Sequence, residues 1–308
     1  MKEDLFNQFC SVLGSDNAEK NEPMSKHTTF RVGGPADYYL SPHSTEELKK
    51  ICRICEENEL PYFVIGNGSN LLVSDEGYRG AVIQIYRNMS EIEVEDNTKI
   101  RAKAGALLAF VAKTALNHRL TGMEFASGIP GTIGGAVVMN AGAYGGEMKD
   151  ILEEVTVLTG AGEVKVLPAS ELELGYRTSI VKKEGYLVLE AVLSLEEGEP
   201  AQIQKRMNEL KEQRVSKQPL EFPSAGSTFK RPEGYFAGKL IMDAGLAGYQ
   251  IGGAQVSAKH CGFLINAGNA TARDVYRLIR FVQKTVWDKF QVELETEVKM
   301  LGRFEDED

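Results

Sequence analysis

The groups best placed to do chemistry in this chain are main-chain amides rather than side chains. Residues 122–146 read GMEFASGIPGTIGGAVVMNAGAYGG, with glycine at 122, 128, 131, 134, 135, 142, 145 and 146 and no Lys, Arg or Asp. Glycine at this density weakens helices and strands alike. Met123, Phe125, Ile129, Ile133, Val137, Val138 and Met139 still give the stretch apolar surface to bury, which a flexible linker lacks. The expectation is ordered, irregular backbone whose free N–H groups form a nest for an anion such as a pyrophosphate, with Pro130 stiffening the turn. Gly131 and Gly135 are expected to need positive φ or close ligand approach. A glycine-rich turn region of a β-rich core fits the same residues. Residues 62–75, YFVIGNGSNLLVSD, repeat the theme: an apolar strand runs from Tyr62 to Ile65 into Gly66-Asn67-Gly68-Ser69-Asn70. A strand entering a donor-rich turn is the geometry of a phosphate cradle. No Gly-Lys-Ser/Thr and no G-x-G-x-x-G occurs there, which excludes a P-loop and a Rossmann fingerprint. Two such loops on one chain point to a dinucleotide held between two lobes.

Seven segments then occur in a specific order: FRVGGPAD (30–37), VIGNGSNLLVSD (64–75), ASGIPGTIGGAVVMNAGAYG (126–145), YRTS (176–179), AGSTFK (225–230), GGAQVS (252–257) and LETEV (294–298). In this the chain resembles the UDP-N-acetylenolpyruvoylglucosamine reductase (UDP-N-acetylmuramate dehydrogenase, MurB) family, from about residue 27 to 302. The resemblance implies an α+β fold: a two-lobed FAD-binding region of the vanillyl-alcohol-oxidase/PCMH type and a C-terminal α+β substrate-binding domain. It also implies an NADPH-dependent flavoenzyme of peptidoglycan precursor synthesis, which reduces enolpyruvyl-UDP-N-acetylglucosamine to UDP-N-acetylmuramate. The alternatives are an FAD-dependent oxidase of related fold with another substrate, or a flavin or nucleotide-sugar binding module without turnover. Neither glycine stretch contains His or Cys, and His118 lies just outside, so the FAD is expected to be non-covalent.

The resemblance also assigns roles. Arg177, in Gly-Tyr-Arg-Thr-Ser, is the family's binder and polariser of the substrate carboxylate, which suits a guanidinium. An isolated Arg is otherwise a surface residue. Ser227 would be the proton donor to C2 of the enolpyruvyl group after hydride reaches C3; by pattern alone it is a turn serine. Glu297 alternates with Glu293, Glu295 and Lys299 on the polar side of 291–301, and only the family's L-x-x-E-V marks it as the catalytic carboxylate. The cofactor set is Gly66, Asn67, Gly68, Ser69, Asn70 and Leu71, with Ser127, Gly128, Ile129, Pro130, Gly131, Thr132, Gly134, Gly135, Ala136 and Asn140. Tyr176, Lys217, Lys230, His260 and Lys299 are the substrate-binding candidates. The short span after Tyr176-Arg177 places the chain in the family's shorter class, without the inserted lid tyrosine; Tyr235 and Tyr249 are candidates to replace it.

The elements that must position these residues follow from pattern. A short helix carries Leu5, Phe6, Phe9 and Leu13. Residues 29–40 read as strand, Gly-Gly-Pro turn and strand. Ser44 and Glu47 form a capping box for a helix over 45–58. Strands are expected near 81–86, 99–104, 152–158, 163–167, 186–195, 262–266 and 291–301. Helices are expected over 106–117, with Leu107, Leu108, Val111, Ala112 and Leu116 as its apolar stripe, and over 199–214, 236–244 and 271–289. Expected domains are 1–86 (first FAD lobe), 87–205 (second FAD lobe) and 206–308 (substrate domain).

With 308 residues, 43% hydrophobic and 26% charged, the chain suits a globular protein of two or three domains. Net charge is −9 and no basic block occurs, which disfavours nucleic acid. No signal peptide or membrane-length apolar run is present, so a cytoplasmic protein without membrane association is expected. A monomer acting on a small UDP-sugar is the expectation. Cys52 and Cys55 lie on one helical face with Leu48 and Ile51, without a second Cys/His pair, so they read as buried thiols and not a zinc site.

Overall fold

A computed structural model describes residues 4–305. The chain groups into two compact units, one of residues up to 19, 38–67 and 81–214, the other of 20–37, 68–80 and 215 onward. This grouping departs from divisions at 86/87 and 205/206. Phe30, Val32 and Leu72 belong to the core of the second unit, and Leu71–Val73 pairs in parallel with Lys299–Leu301, so segments from the N-terminal third join the C-terminal part. The helix Pro200–Lys217 runs through position 205 unbroken.

The first unit is built on a five-stranded antiparallel sheet, in the order Val164–Pro168, Leu152–Leu158, Leu187–Ser194, Lys99–Lys103 and Ile92–Glu95. Strand alternation puts Ile100, Ala102, Val155, Val157, Ala191 and Leu193 in the core. Arg101 stands among Glu95, Glu154 and Glu190. The strand Tyr62–Ile65 pairs in parallel with residues 81–84, which delivers the first glycine loop at its end. It is the last strand of a four-stranded sheet ordered Ala18–Pro23, Pro35–Leu40, Tyr78–Gln84, Tyr62–Ile65.

The second unit centres on the helix Ala272–Phe290 over a sheet ordered Ser224–Ser227, Phe263–Asn266, Ala254–Val256 and Gln250–Ile251. Ala272, Val275, Leu278, Ile279, Val282 and Val286 are its buried stripe. Thr271 and Asp274 cap it reciprocally, and Asp75 accepts from the N–H groups of Ala272 and Arg273 at 2.8 Å each.

Several expectations change. Residues 122–146 do contain regular structure: a helix Ile133–Val138 and a hairpin of Gly142–Ala143 with Gly146–Glu147. Gly134 permits that helix, because its N–H donates to the Ala104 carbonyl at 2.8 Å and a Cβ there would lie 3.1 Å from that of Ala104. Residues 29–34 form no strand, whereas Ala18–Pro23 does. Of 291–301 only Lys299–Leu301 is strand. Burial still alternates along it, because the segment is extended without a continuous ladder. Ser44 caps its helix by accepting from the Glu47 N–H at 3.2 Å, but the Glu47 carboxylate accepts from His43, one residue before the cap. Between Arg177 and Pro200 the chain holds only the helix Ile180–Glu184 and the strands Leu187–Ser194 and Glu196–Glu197; the one tyrosine there, Tyr186, packs on the core.

Candidate active site

In the first unit the two glycine stretches meet. Asn67 Nδ2 donates to the Pro130 carbonyl at 2.7 Å, and Gln84 Nε2 donates to Gly66 O at 2.9 Å. A Cβ on Gly66 would fall 2.3 Å from Thr132 Oγ1, so only glycine lets the loops close on each other. Thr132 bridges Leu107, and Leu108 N–H donates to Gly131 O at 3.1 Å, which fixes the second loop to the Leu108–Asn117 helix. Ser127 Oγ donates to Glu124 O at 2.8 Å. Thr132 and Ala136 are buried, while Gly128, Pro130 and Gly135 are exposed. Neither Gly131 nor Gly135 has a left-handed φ, so a positive φ does not account for glycine at either position. At Gly135 the nearest atom to an added Cβ is 3.8 Å away. Ordered backbone with exposed glycines lets a flat ring or diphosphate approach closely.

Asn140, a cofactor-binding candidate, has structural partners of its own. It is buried in the left-handed region, φ 41°. Its amide donates to Glu147 Oε2 at 2.6 Å and Gly175 O at 3.2 Å, and its Oδ1 accepts from Lys149 N–H at 2.9 Å. It thereby ties the glycine stretch to the segment carrying Arg177. Ser179 Oγ adds a bond to Val138 O at 2.8 Å. Arg177 itself has φ 55°, an uncommon state for a long side chain. Gly175 and Thr178 bridge around it, Lys182 Nζ donates to its carbonyl at 3.0 Å, and its guanidinium stacks 5.3 Å from the ring centre of exposed Tyr176. A strained backbone held from three sides marks a constrained side chain.

In the second unit Ser227 and Glu297 come together. A bulge interrupts pairing between Ser224 and Ser227, Gly226 takes φ 75°, and Ser227 emerges exposed opposite Phe263. Thr228 is buried: its N–H donates to Gly262 O at 2.9 Å, its Oγ1 accepts from Leu264 N–H at 3.2 Å and its carbonyl accepts from Glu297 N–H at 2.8 Å. Asn70 Nδ2 donates to Glu297 O at 3.1 Å, and Lys299 N–H donates to Asn70 O at 3.0 Å. Asn70 thus joins the first glycine stretch to the glutamate, a link that no local pattern announces.

The remaining candidates divide. Lys230 forms an ion pair with Glu295, and its N–H donates to Glu295 O at 2.8 Å. His260 packs edge-on to Phe263 at 4.9 Å and accepts from Gly262 N–H at Nδ1, 3.2 Å; burial pushes its pKa below the usual value and favours the neutral ring. Lys217 is exposed at the end of its helix, and Lys299 is exposed. Gly68 is buried with φ 61°, and a Cβ there would lie 1.9 Å from His27 O, so its glycine serves internal packing. Leu71 is buried in its strand, and Ser69 is half-buried. Arg214, read from sequence only as part of an amphipathic helix, lies against Gly128. Among the described residues no group of His, Cys, Asp and Glu is placed to hold a metal ion, and no helix is long and apolar enough to cross a membrane.

The chain is similar to known proteins over most of its length. Residues 36–167 match a family model described as FAD binding domain, and residues 218–301 match the UDP-N-acetylenolpyruvoylglucosamine reductase C-terminal domain. The UDP-N-acetylenolpyruvoylglucosamine reductase of Agathobacter rectalis is 57% identical over 296 residues, covering 92% of this chain and 94% of that protein. The crystal structure of the Thermus caldophilus UDP-N-acetylenolpyruvylglucosamine reductase is 38% identical, with a TM-score of 0.79, covering 92% of this chain and 98% of that one. A variant of Phl p 4, a glucose oxidase, shares the fold alone, at TM-score 0.50 and 14% identity over 64% of this chain and 45% of that one.

Proposed function

The chain belongs to the UDP-N-acetylenolpyruvoylglucosamine reductase family, and from that premise we propose which of its residues carry the reaction. It is an NADPH- and FAD-dependent oxidoreductase of peptidoglycan precursor synthesis, a UDP-N-acetylmuramate dehydrogenase. FAD held by the two glycine loops would supply the hydride, drawn from NADPH, that C3 of the enolpyruvyl group receives.

Ser227 Oγ–H gives its proton to C2, Arg177 grips the substrate carboxylate, and Glu297 supplies the carboxylate that sets the field around the intermediate. The observation that carries this assignment is the hydrogen bond from Glu297 N–H to the carbonyl of Thr228, which fixes the glutamate beside Ser227. The loops at Gly66–Asn67 and Ser127–Ala136 hold the cofactor, with Gly68–Leu71 continuing the first of them. Tyr176, Lys217, His260 and Lys299 serve the UDP-sugar. Lys230 acts through Glu295, since the pair neutralises its charge. In functional terms residues 1–86 and 87–205 serve FAD and 206–308 serve the sugar. The enzyme works as a monomer in the cytoplasm.

The test is NADPH consumption with and without the enolpyruvyl sugar under nitrogen and under air. Consumption that needs the sugar and not oxygen supports the assignment. Oxygen-dependent consumption without the sugar would indicate an oxidase, and none under any condition a binding module.

A further inference from the structure

Arg214 ends the part of the Pro200–Lys217 helix that belongs to the first unit. Its guanidinium makes no hydrogen bond or ion pair with any described residue, though the side chain is half-buried. Burial pushes its pKa down, and the one titratable group that opposes this is Tyr144. A half-buried cation without a counter-charge loses part of its hydration without compensation.

Gly128 supplies the second observation. Its φ lies outside the left-handed region, so its backbone conformation does not require glycine. A Cβ there would lie 2.9 Å from Arg214 Nη1 and 3.1 Å from Cδ, so the arginine side chain runs directly over this glycine. The guanidinium lies beside exposed Gly128, in the same stretch as exposed Pro130 and Gly135. The structure brings together a fixed, unneutralised cation and a bare backbone surface.

We propose that Arg214 is a diphosphate-binding residue, its guanidinium supplying through the gap at Gly128 the positive charge that this loop lacks. A planar fork of donors suits paired phosphate oxygens better than an ammonium does. The inference rests on the flavoenzyme reading, which provides two sources of diphosphate, the dinucleotide cofactor and the UDP-sugar.

The experiment uses full-length protein stripped of flavin, as the parent, Arg214→Met and Arg214→Lys. FAD and riboflavin are titrated by flavin fluorescence. UDP-N-acetylglucosamine is titrated into the FAD-loaded forms by flavin absorbance, and the melting temperature of each flavin-free form is measured. Loss of a charge-assisted contact predicts FAD binding weaker by about tenfold to a hundredfold in Arg214→Met, with Arg214→Lys in between and riboflavin unchanged. The flavin-free Arg214→Met form should melt no lower than the parent, because an unpaired charge has been removed. If FAD affinity holds and UDP-N-acetylglucosamine affinity falls by that factor, the diphosphate is the sugar's and the proposal stands. If both affinities hold, or if they fall only together with riboflavin binding and melting temperature, Arg214 is a structural residue and the proposal is overturned. A parent that binds no FAD would instead contradict the flavoenzyme reading.

Discussion

Glu297 donates its backbone N–H to the carbonyl of Thr228 at 2.8 Å, the residue that follows Ser227. The bridge between Phe229 and Thr296 continues the same pairing, so main-chain bonds hold the glutamate's backbone in place. Replacing the carboxylate should therefore leave the frame intact. Glu297→Gln is expected to keep its FAD and its melting temperature and to lose about a hundredfold to a thousandfold in kcat, the range typical of a lost electrostatic contribution. Steady-state assay beside thermal melting checks both halves.

Two glycines of the cradle should behave in opposite ways. At Gly66 a Cβ meets Thr132 Oγ1 at 2.3 Å, so Gly66→Ala should destabilise the protein by about 1–3 kcal/mol through overpacking, with or without FAD. At Gly135 a Cβ meets nothing within 3.8 Å, so Gly135→Ala should melt like the parent when stripped of flavin. If a flavin ring or phosphate rests on this backbone, Gly135→Val should bind FAD at least tenfold more weakly by fluorescence titration. Retained FAD affinity would make Gly135 an ordinary helical residue.

Local order carries much of this fold. The apolar spacing of Val275, Leu278, Ile279, Val282 and Val286 announces the long helix, and Tyr62–Ile65 announces a strand into a loop. The glycine stretch was legible as ordered but not as partly helical, because its helix depends on Gly134 sitting against Ala104, a contact between distant residues. The alternation of Val292, Leu294 and Val298 with acids gave the exposure of 291–301 but not the absence of a ladder, which depends on what lies alongside. The nearness of Glu297 to Ser227 has no local signature: 70 positions separate them, and the main-chain bond that links the two segments runs from Glu297 to Thr228. The partners of Asn140 are equally invisible in the sequence, because Glu147 and Gly175 reach it only through the fold.

The thiols of the C-x-x-C should be inert. Burial pushes Cys52 up to about 11, with Glu56 adding to it and a hydrogen bond from Tyr62 opposing. Burial, Cys52 and Glu56 raise Cys55 to about 12. At pH 8 the thiolate fraction of either is then on the order of 0.1% or less. Iodoacetamide at pH 8 should label Cys10, which is half-buried, before either helix cysteine, and mass spectrometry of digests reads the order. Early labelling of Cys52 or Cys55 would contradict their burial.

His260 makes stability depend on pH. Burial holds its imidazole below the ordinary 6.5, so the folded state keeps it neutral where the unfolded chain already binds a proton. Its contribution is fully present above about pH 6.5 and is lost as pH falls below that value towards the folded pKa. Urea midpoints at pH 7.5 and 5.5 should differ less in His260→Gln than in the parent. An equal difference in both proteins would show that the ring titrates freely.

The central claim is that Ser227 supplies the proton, and one experiment separates that from binding. Flavin reduction by NADPH needs no proton for the sugar, whereas enolpyruvyl reduction does. Ser227 is exposed on a bulge, so Ser227→Ala removes a hydroxyl without opening a cavity, and fold and FAD content should persist. Stopped-flow absorbance of the oxidised flavin band follows both halves. Ser227→Ala should bleach with NADPH at the parental rate, then recover about a hundredfold to ten-thousandfold more slowly on addition of the enolpyruvyl sugar. Recovery within about threefold of the parent would contradict the account and assign the proton to another group.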